Sequence, residues 1–331
     1  MHPRRPTTRV QRPQFNRPRP KQKKAHSKYI GIFSIFLLVA ALIVIKFKSS
    51  NTSNETFVSA SNKSQESQIT KKPLKETSIL QNQISEILGT DIDHYGIYIK
   101  NLKTDQIISI NADKSLPPAS IYKVPLAMLV LKDIDNGKRN LTDTLLLKPS
   151  NKAYATDAMF YFNDNSNYTL KEYLQFMIIQ SDNTAMNSLE ELLGSAEVVN
   201  SRLESELRVN NFFRDPHQAS AKEIGQVFEQ IYKQSYLSKS SNDFLLDLMK
   251  NTAAWMQDRI PAGVKEFDEA VVAHKVGNLV TKSGSEYADA GIVYGPESDF
   301  VIVVINEDII EDEAKIKIQD ITRAAYVWHN N

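Results

Sequence analysis

The stretch Leu116-Pro117-Pro118-Ala119-Ser120-Ile121-Tyr122-Lys123, followed by the apolar run Val124-Pro125-Leu126-Ala127-Met128-Leu129-Val130-Leu131, decides how this chain is read. Two prolines hold the approach extended. The unbroken apolar run after Lys123 predicts a helix buried on every side. Ser120 and Lys123 then stand three residues apart, on one helix face at its N-terminal end. Free backbone N–H groups and positive potential collect at such an end. A lysine buried there loses its proton more readily, and a neutral amine beside a hydroxyl is an activated nucleophile pair. Nowhere else in the chain does a lysine follow a serine at this spacing. A capping serine with a solvated lysine would give the same four letters, so the reading needs further residues.

Two later stretches supply them. Ser181-Asp182-Asn183 lies 61 residues after Ser120, and Lys275-Val276-Gly277 lies 94 residues after Ser181. S-x-x-K, S-D-N and a K-T-G-like triplet, in this order, are the signature of penicillin-recognising serine hydrolases. With these motifs the chain resembles the class A β-lactamase family and its penicillin-binding relatives, over about residues 76–330. Ser115 to Leu126 resembles the family's nucleophile helix. Tyr168-Thr169-Leu170 through Thr184-Ala185 resembles the helix leading into S-D-N. Ala273-His274-Lys275 and Asp289-Ala290-Gly291-Ile292-Val293-Tyr294 resemble its inner strands.

The resemblance implies a role for each matched residue. Ser120 attacks a carbonyl and becomes acylated, and Lys123 takes its proton. Ser181 relays a proton to the leaving nitrogen, aided by the charge of Lys275. Asn183 holds Lys123 and the substrate amide. The backbone N–H groups of Ser120 and Asn278 form an oxyanion hole, and Lys275, Val276, Gly277 and Asn278 bind substrate. The implied substrate is a β-lactam or a peptidoglycan stem peptide.

Two departures bear on activity. Val276 replaces the family's Thr or Ser, keeping the β-branched shape but losing a hydroxyl that helps bind a carboxylate. Lys282-Ser283-Gly284 is a rival third motif seven residues on; Lys275 is preferred for its flanks. The family's omega loop carries a glutamate that activates the deacylating water. Here Leu207 to Pro216 contains none. Asp215 is a possible substitute, and Glu223 lies in Ser220-Ala221-Lys222-Glu223, a capping-box pattern. A penicillin-binding D-alanyl-D-alanine peptidase with slow β-lactam turnover is therefore a second reading. A non-catalytic wall-binding module is a third.

Composition sets the frame. The chain has 331 residues, 41% of them hydrophobic, and a net charge of +1. That balance conceals an asymmetry, because residues 1–28 carry ten Lys/Arg and no acid. Tyr29 to Ile45 is a run of 17 uncharged residues at the short end of what spans a bilayer. The positive-inside rule expects residues 1–28 in the cytoplasm, 29–46 as an uncleaved transmembrane anchor, and the rest outside. A cleaved leader is the competing reading. Residues 47–75, rich in Ser, Asn, Lys, Thr and Gln, read as a flexible tether before the 76–331 catalytic domain. Nothing structured or aromatic in the basic tail points to nucleic acid. There is no cysteine, and the six histidines are scattered, so neither cofactor nor metal is expected.

Periodicity gives an α/β fold. Strands are expected at Tyr95–Ile99 and Gln106–Ile110, and again at Val271–Lys275, Ala290–Tyr294 and Phe300–Ile305. Between them come helices at Ile79–Leu88, Ser120–Asp135, Leu170–Ile179, Thr184–Leu193, Glu197–Leu207, Ala221–Tyr232 and Phe244–Lys250, and a closing helix at Ala314–Trp328. Strands at both ends imply an antiparallel sheet assembled from distant segments, flanked by helices, with an all-helical lobe between.

Overall fold

The computed structural model describes residues 74–210, 218–280 and 284–331. The tail, the apolar run, most of the tether, Asp215 and Lys282-Ser283 lie outside them.

Helix α1 (Thr77–Leu88) buries Leu80, Ile84 and Leu88, the i, i+4, i+8 face of an amphipathic helix, and stops at Gly89, whose φ of 59° suits a residue without Cβ. Strands β1 (Tyr95–Asn101) and β2 (Ile107–Ile110) form an antiparallel hairpin. β3 (Ser115–Leu116) leads into a tight 3₁₀ turn, Ala119–Tyr122, and then helix α2 (Lys123–Asp135), whose residues from Lys123 to Leu131 are all buried. Ser120 therefore stands in the turn before the α-helix, one element earlier than its spacing predicts.

The helical lobe follows. A small ribbon of β4 (Thr144–Leu146) and β5 (Asn167–Thr169) precedes α3 (Leu170–Ile179), which a Thr169/Glu172 capping box starts. Asp182 caps α4 (Asn183–Leu193) by accepting from the Ala185 N–H. The helix expected at Glu197–Leu207 is split into α5 (Ala196–Arg202) and a wider π turn, Leu203–Leu207. β6 (Ala219–Ser220) pairs with β3, and α6 (Ala221–Tyr232) and α7 (Lys239–Lys250) complete the lobe. α7 begins five residues before its expected start, because Ser238 caps a polar first turn that carries no apolar signal. After the short α8 (Ile260–Val264) come β7 (Val271–Val280), β8 (Ser285–Tyr294), β9 (Phe300–Asn306) and α9 (Glu311–Asn330).

The main sheet has the order β2-β1-β9-β8-β7 and is antiparallel throughout. Tyr95 pairs with Asn306 and Asn101 with Phe300, so the first and last strands of the described residues meet in its middle. Both faces are apolar, as for a sheet covered on both sides. Phe300, Ile302 and Val304 pack with α1 and α9, whereas Val301, Val303 and Ile305 face the helical lobe. β7 is the edge strand next to that lobe, and it contacts the Ala119–Tyr122 turn directly.

Candidate active site

The 3₁₀ turn presents Ser120 with Ala119 in left-handed backbone (φ 45°). Such a conformation costs a non-glycine residue about 1 kcal/mol or more and persists where surrounding packing imposes it. The packing here is Gly277. A Cβ at that position would meet the Pro118 carbonyl oxygen at 2.7 Å and the Ser120 nitrogen at 3.3 Å. Glycine lets β7 close onto the turn, so the backbone entering Asn278 lies against the backbone of Ser120.

Lys123 and Lys275 both reach Ser181. Lys123 is fully buried, and its Nζ donates to the Ser181 carbonyl oxygen, to Ser181 Oγ at 3.2 Å and to Asn183 Oδ1 at 2.8 Å. Lys275, also fully buried, donates to Ser181 Oγ at 2.8 Å and to the Val276 carbonyl at 3.0 Å. Ser181 is itself in left-handed backbone, φ 57°. Burial pulls the Lys123 amine down to about 7 against the opposing pull of Asp157 and Asp182. Lys275 is driven well down by burial and then by the charge of Lys123, with Asp289 resisting. Two amines sharing one hydroxyl in a dry site cannot both be ammonium cheaply, and a neutral one gives Ser181 O–H an acceptor. The expected geometry differs at one point. Lys123 is held by Ser181 and Asn183, while the Ser120 hydroxyl has no hydrogen-bond partner among the described residues.

These side chains open on a cavity of about 440 Å³ lined by Ser120, Ser181, Asn183, Val276 and Asn278 among others. The expected residues thus converge, with Lys123 and Lys275 fully buried and bonded to Ser181. Tyr161 lines the cavity, whereas Phe162, next to it in the chain, packs inward on Tyr168 and Phe176. Trp255 lines the cavity from the turn after α7, half exposed, and had no sequence signal. Among the described residues the lining carries a single carboxylate, Asp157, which the sequence reading missed. Glu223 is held in its capping box by the Ser220 N–H and hydroxyl at 3.0 and 2.9 Å, and also accepts from Asn210.

Two groups behind β7 were also missed. Buried Arg259 donates to the Ala288 carbonyl at 2.9 Å and to Asn278 Oδ1 at 2.6 Å. Buried Asp289, opposite Val276 on β8, bonds His274 Nδ1 at 2.9 Å and accepts from the Ile260 N–H at 3.1 Å. Thr252 closes that chain on His274 Nε2 at 2.7 Å.

The family model described as the Beta-lactamase enzyme family matches residues 79–328. The chain belongs to this family. Its catalytic unit is a class A β-lactamase-like serine hydrolase, and the motifs at Ser120, Ser181 and Lys275 all fall inside the matched region. The family relatives include extended-spectrum beta-lactamase PER-1 of Pseudomonas aeruginosa, 24% identical over 261 residues, covering 72% of this chain and 82% of PER-1. Beta-lactamase VEB-1 of the same organism is 24% identical over 275 residues, covering 73% and 90%. Among solved structures, a beta-lactamase from Chitinophaga pinensis superposes with a TM-score of 0.70 at 27% identity, covering 76% of this chain and all of that one. PBP-A superposes with a TM-score of 0.68, also at 27% identity, covering 76% and 95%.

Proposed function

We propose that this chain is a membrane-anchored, extracytoplasmic hydrolase that forms an acyl-enzyme at Ser120 with β-lactams or related amides and then hydrolyses it. One observation carries the reading: two buried amines, Lys123 and Lys275, converge on the Ser181 hydroxyl beside a Ser120 hydroxyl that has no hydrogen-bond partner among the described residues. In the first step Ser120 Oγ bonds to the substrate carbonyl carbon, and Lys123 in its neutral form takes the hydroxyl proton. The carbonyl oxygen gains charge, which the Ser120 and Asn278 N–H groups stabilise; one such donor is worth about 10²–10³ in rate. The C–N bond breaks as Ser181 passes its proton to the nitrogen and recovers one from a lysine. Water later releases the acid and restores Ser120. The basic tail and apolar run of the sequence support the anchor and its orientation.

A second reading, a penicillin-binding peptidase that deacylates slowly, is favoured by the state of the carboxylates. Asp157 has both oxygens engaged, and Glu223 caps a helix. A PBP-A variant has been captured as an acyl-enzyme with penicillin G, and it superposes here with a TM-score of 0.67 at 26% identity.

Intact-mass spectrometry of the protein with benzylpenicillin, beside Ser120→Ala, tests both readings. A transient adduct with accumulating penicilloate supports the hydrolase, and a persistent adduct supports the peptidase. No adduct on the parent, or the same adduct on Ser120→Ala, refutes acylation at Ser120.

A further inference from the structure

Asn183 is held from both sides. Its Oδ1 accepts from Lys123 Nζ at 2.8 Å, and its Nδ2 donates to Asp157 Oδ1 at 3.1 Å. A carboxylate accepts and does not donate, so the Asp157 contact permits one orientation of the amide, the one that turns Oδ1 to Lys123. Asp157 is fixed in turn. Its Oδ2 accepts from the Tyr154 N–H at 3.2 Å, the Thr184 N–H at 3.2 Å and the Thr184 hydroxyl at 3.3 Å. The loop carrying Asp157 is thereby pinned to the first turn of α4, and the carboxylate is buried at the cavity wall.

We propose that Asp157 is a positioning residue for acylation, imposing on Asn183 the amide orientation that presents an acceptor to Lys123 and setting, through that link, the pH at which Lys123 works as a base. The inference rests on the reading of Lys123 as the base for Ser120.

The groups around Lys123 come from five segments. Asp157 approaches from the loop before α3, and Asp182, Ser181 and Asn183 from the start of α4. Lys275 reaches the shared hydroxyl from β7, backed by Asp289 of β8 and Arg259 ahead of α8. Asp182 is spent on the Met159 and Ala185 N–H groups, so Asp157 is the carboxylate linked to Lys123 through a single amide.

The consequence of Asp157→Asn follows from hydrogen-bond polarity. Three donors surround the Oδ2 position, so the substituted amide must place its carbonyl there and turn its NH₂ toward Asn183. Two NH₂ groups then oppose each other. Asn183 must rotate, and its NH₂ faces Lys123, which loses an acceptor together with a nearby negative charge. Both losses disfavour the ammonium, so the amine loses its proton at lower pH. The combination Asp157→Asn with Asn183→Asp restores donor-to-acceptor polarity along the chain and places the charge directly on Lys123.

The test is the pH profile of benzylpenicillin acylation, read by intact mass with the full-length protein in detergent. The parent rate rises through an acid limb near pH 7, where Lys123 gives up its proton. In Asp157→Asn the limb moves down by about half a pH unit or more, and the plateau rate falls about tenfold or more. In the double variant the limb returns to the parent position or above it. A folded Asp157→Asn whose limb stays with the parent overturns the proposal, as does a double variant whose limb stays with the single one. Should Asp157→Asn not fold, as judged by thermal melting, the double variant alone decides: a limb at or above the parent position supports the link and a limb below it overturns the proposal. A parent that is not acylated at all removes the base assignment itself, and the proposal with it.

Discussion

Replacing Lys123 by Met abolishes acylation, but its effect on stability is the more discriminating prediction. Burial holds the amine at about 7 against an ordinary value of 10.5. Each unit corresponds to 1.36 kcal/mol, so a proton on this lysine at pH 7 costs the folded state on the order of 4 kcal/mol. Methionine fills a similar unbranched space without a charge, but it leaves the Ser181 carbonyl and Asn183 Oδ1 without their donor. That loss costs about 1 kcal/mol for each acceptor. The net expectation is a gain of about 2 kcal/mol at pH 7, or about 4–8 °C in Tm for a domain of this size. The pH sets where this gain is seen. Between about pH 7 and 10 the unfolded chain holds a proton on Lys123 that the folded chain does not, so parent stability rises with pH in that window. The advantage of Lys123→Met is then full below pH 7 and shrinks as the pH approaches 10. Thermal melts of parent and variant at pH 6, 7, 8 and 9 measure it. A variant that melts below the parent at pH 7, or a gap constant across the series, would refute the reasoning.

Gly277→Ala should cost about tenfold or more in acylation rate while the protein stays folded, because the new Cβ meets the rigid Pro118 carbonyl and pushes β7 away from Ser120; stopped-flow acylation checks it. Val276→Thr places a hydroxyl at the cavity wall, and carboxylate-bearing β-lactams should acylate about fivefold faster through one added hydrogen bond of about 1 kcal/mol. An unchanged second-order rate constant across several penicillins would count against that contact. Asp289→Asn leaves His274 and the Ile260 N–H with a weaker partner in a fully buried position, and should lower stability by about 2–4 kcal/mol in urea unfolding.

Much of the site was legible because its motifs are local. Ser120 and Lys123 sit either side of one turn, Ser181 and Asn183 open one helix, and Lys275 to Asn278 occupy one strand. The strand reading stopped at Lys275 because Gly277 and Asn278 are poor strand formers. In the fold they continue β7 to Val280, since Gly277 is needed where the strand meets the nucleophile turn. Asp157 and Arg259 gave no signal. Asp157 reaches Asn183, 26 positions away, and Arg259 reaches Ala288, 29 away, and an isolated Asp or Arg in a polar loop looks like any surface charge until such partners are placed. Glu223 was correctly read as a cap, because a capping box is complete within four residues.

The pairing of β1 with β9 governs the order in which the polypeptide can mature. Tyr95 finds its neighbour in Asn306, and α1 its shelter under α9, so the β1–β2 hairpin has no stable home until β9 and α9 have been made. Contacts of such sequence separation close late and slowly. Removal of α9 would therefore strip cover from β1 and β2, and ribosome-stalled chains lacking residues 300–331 should leave that hairpin open to protease.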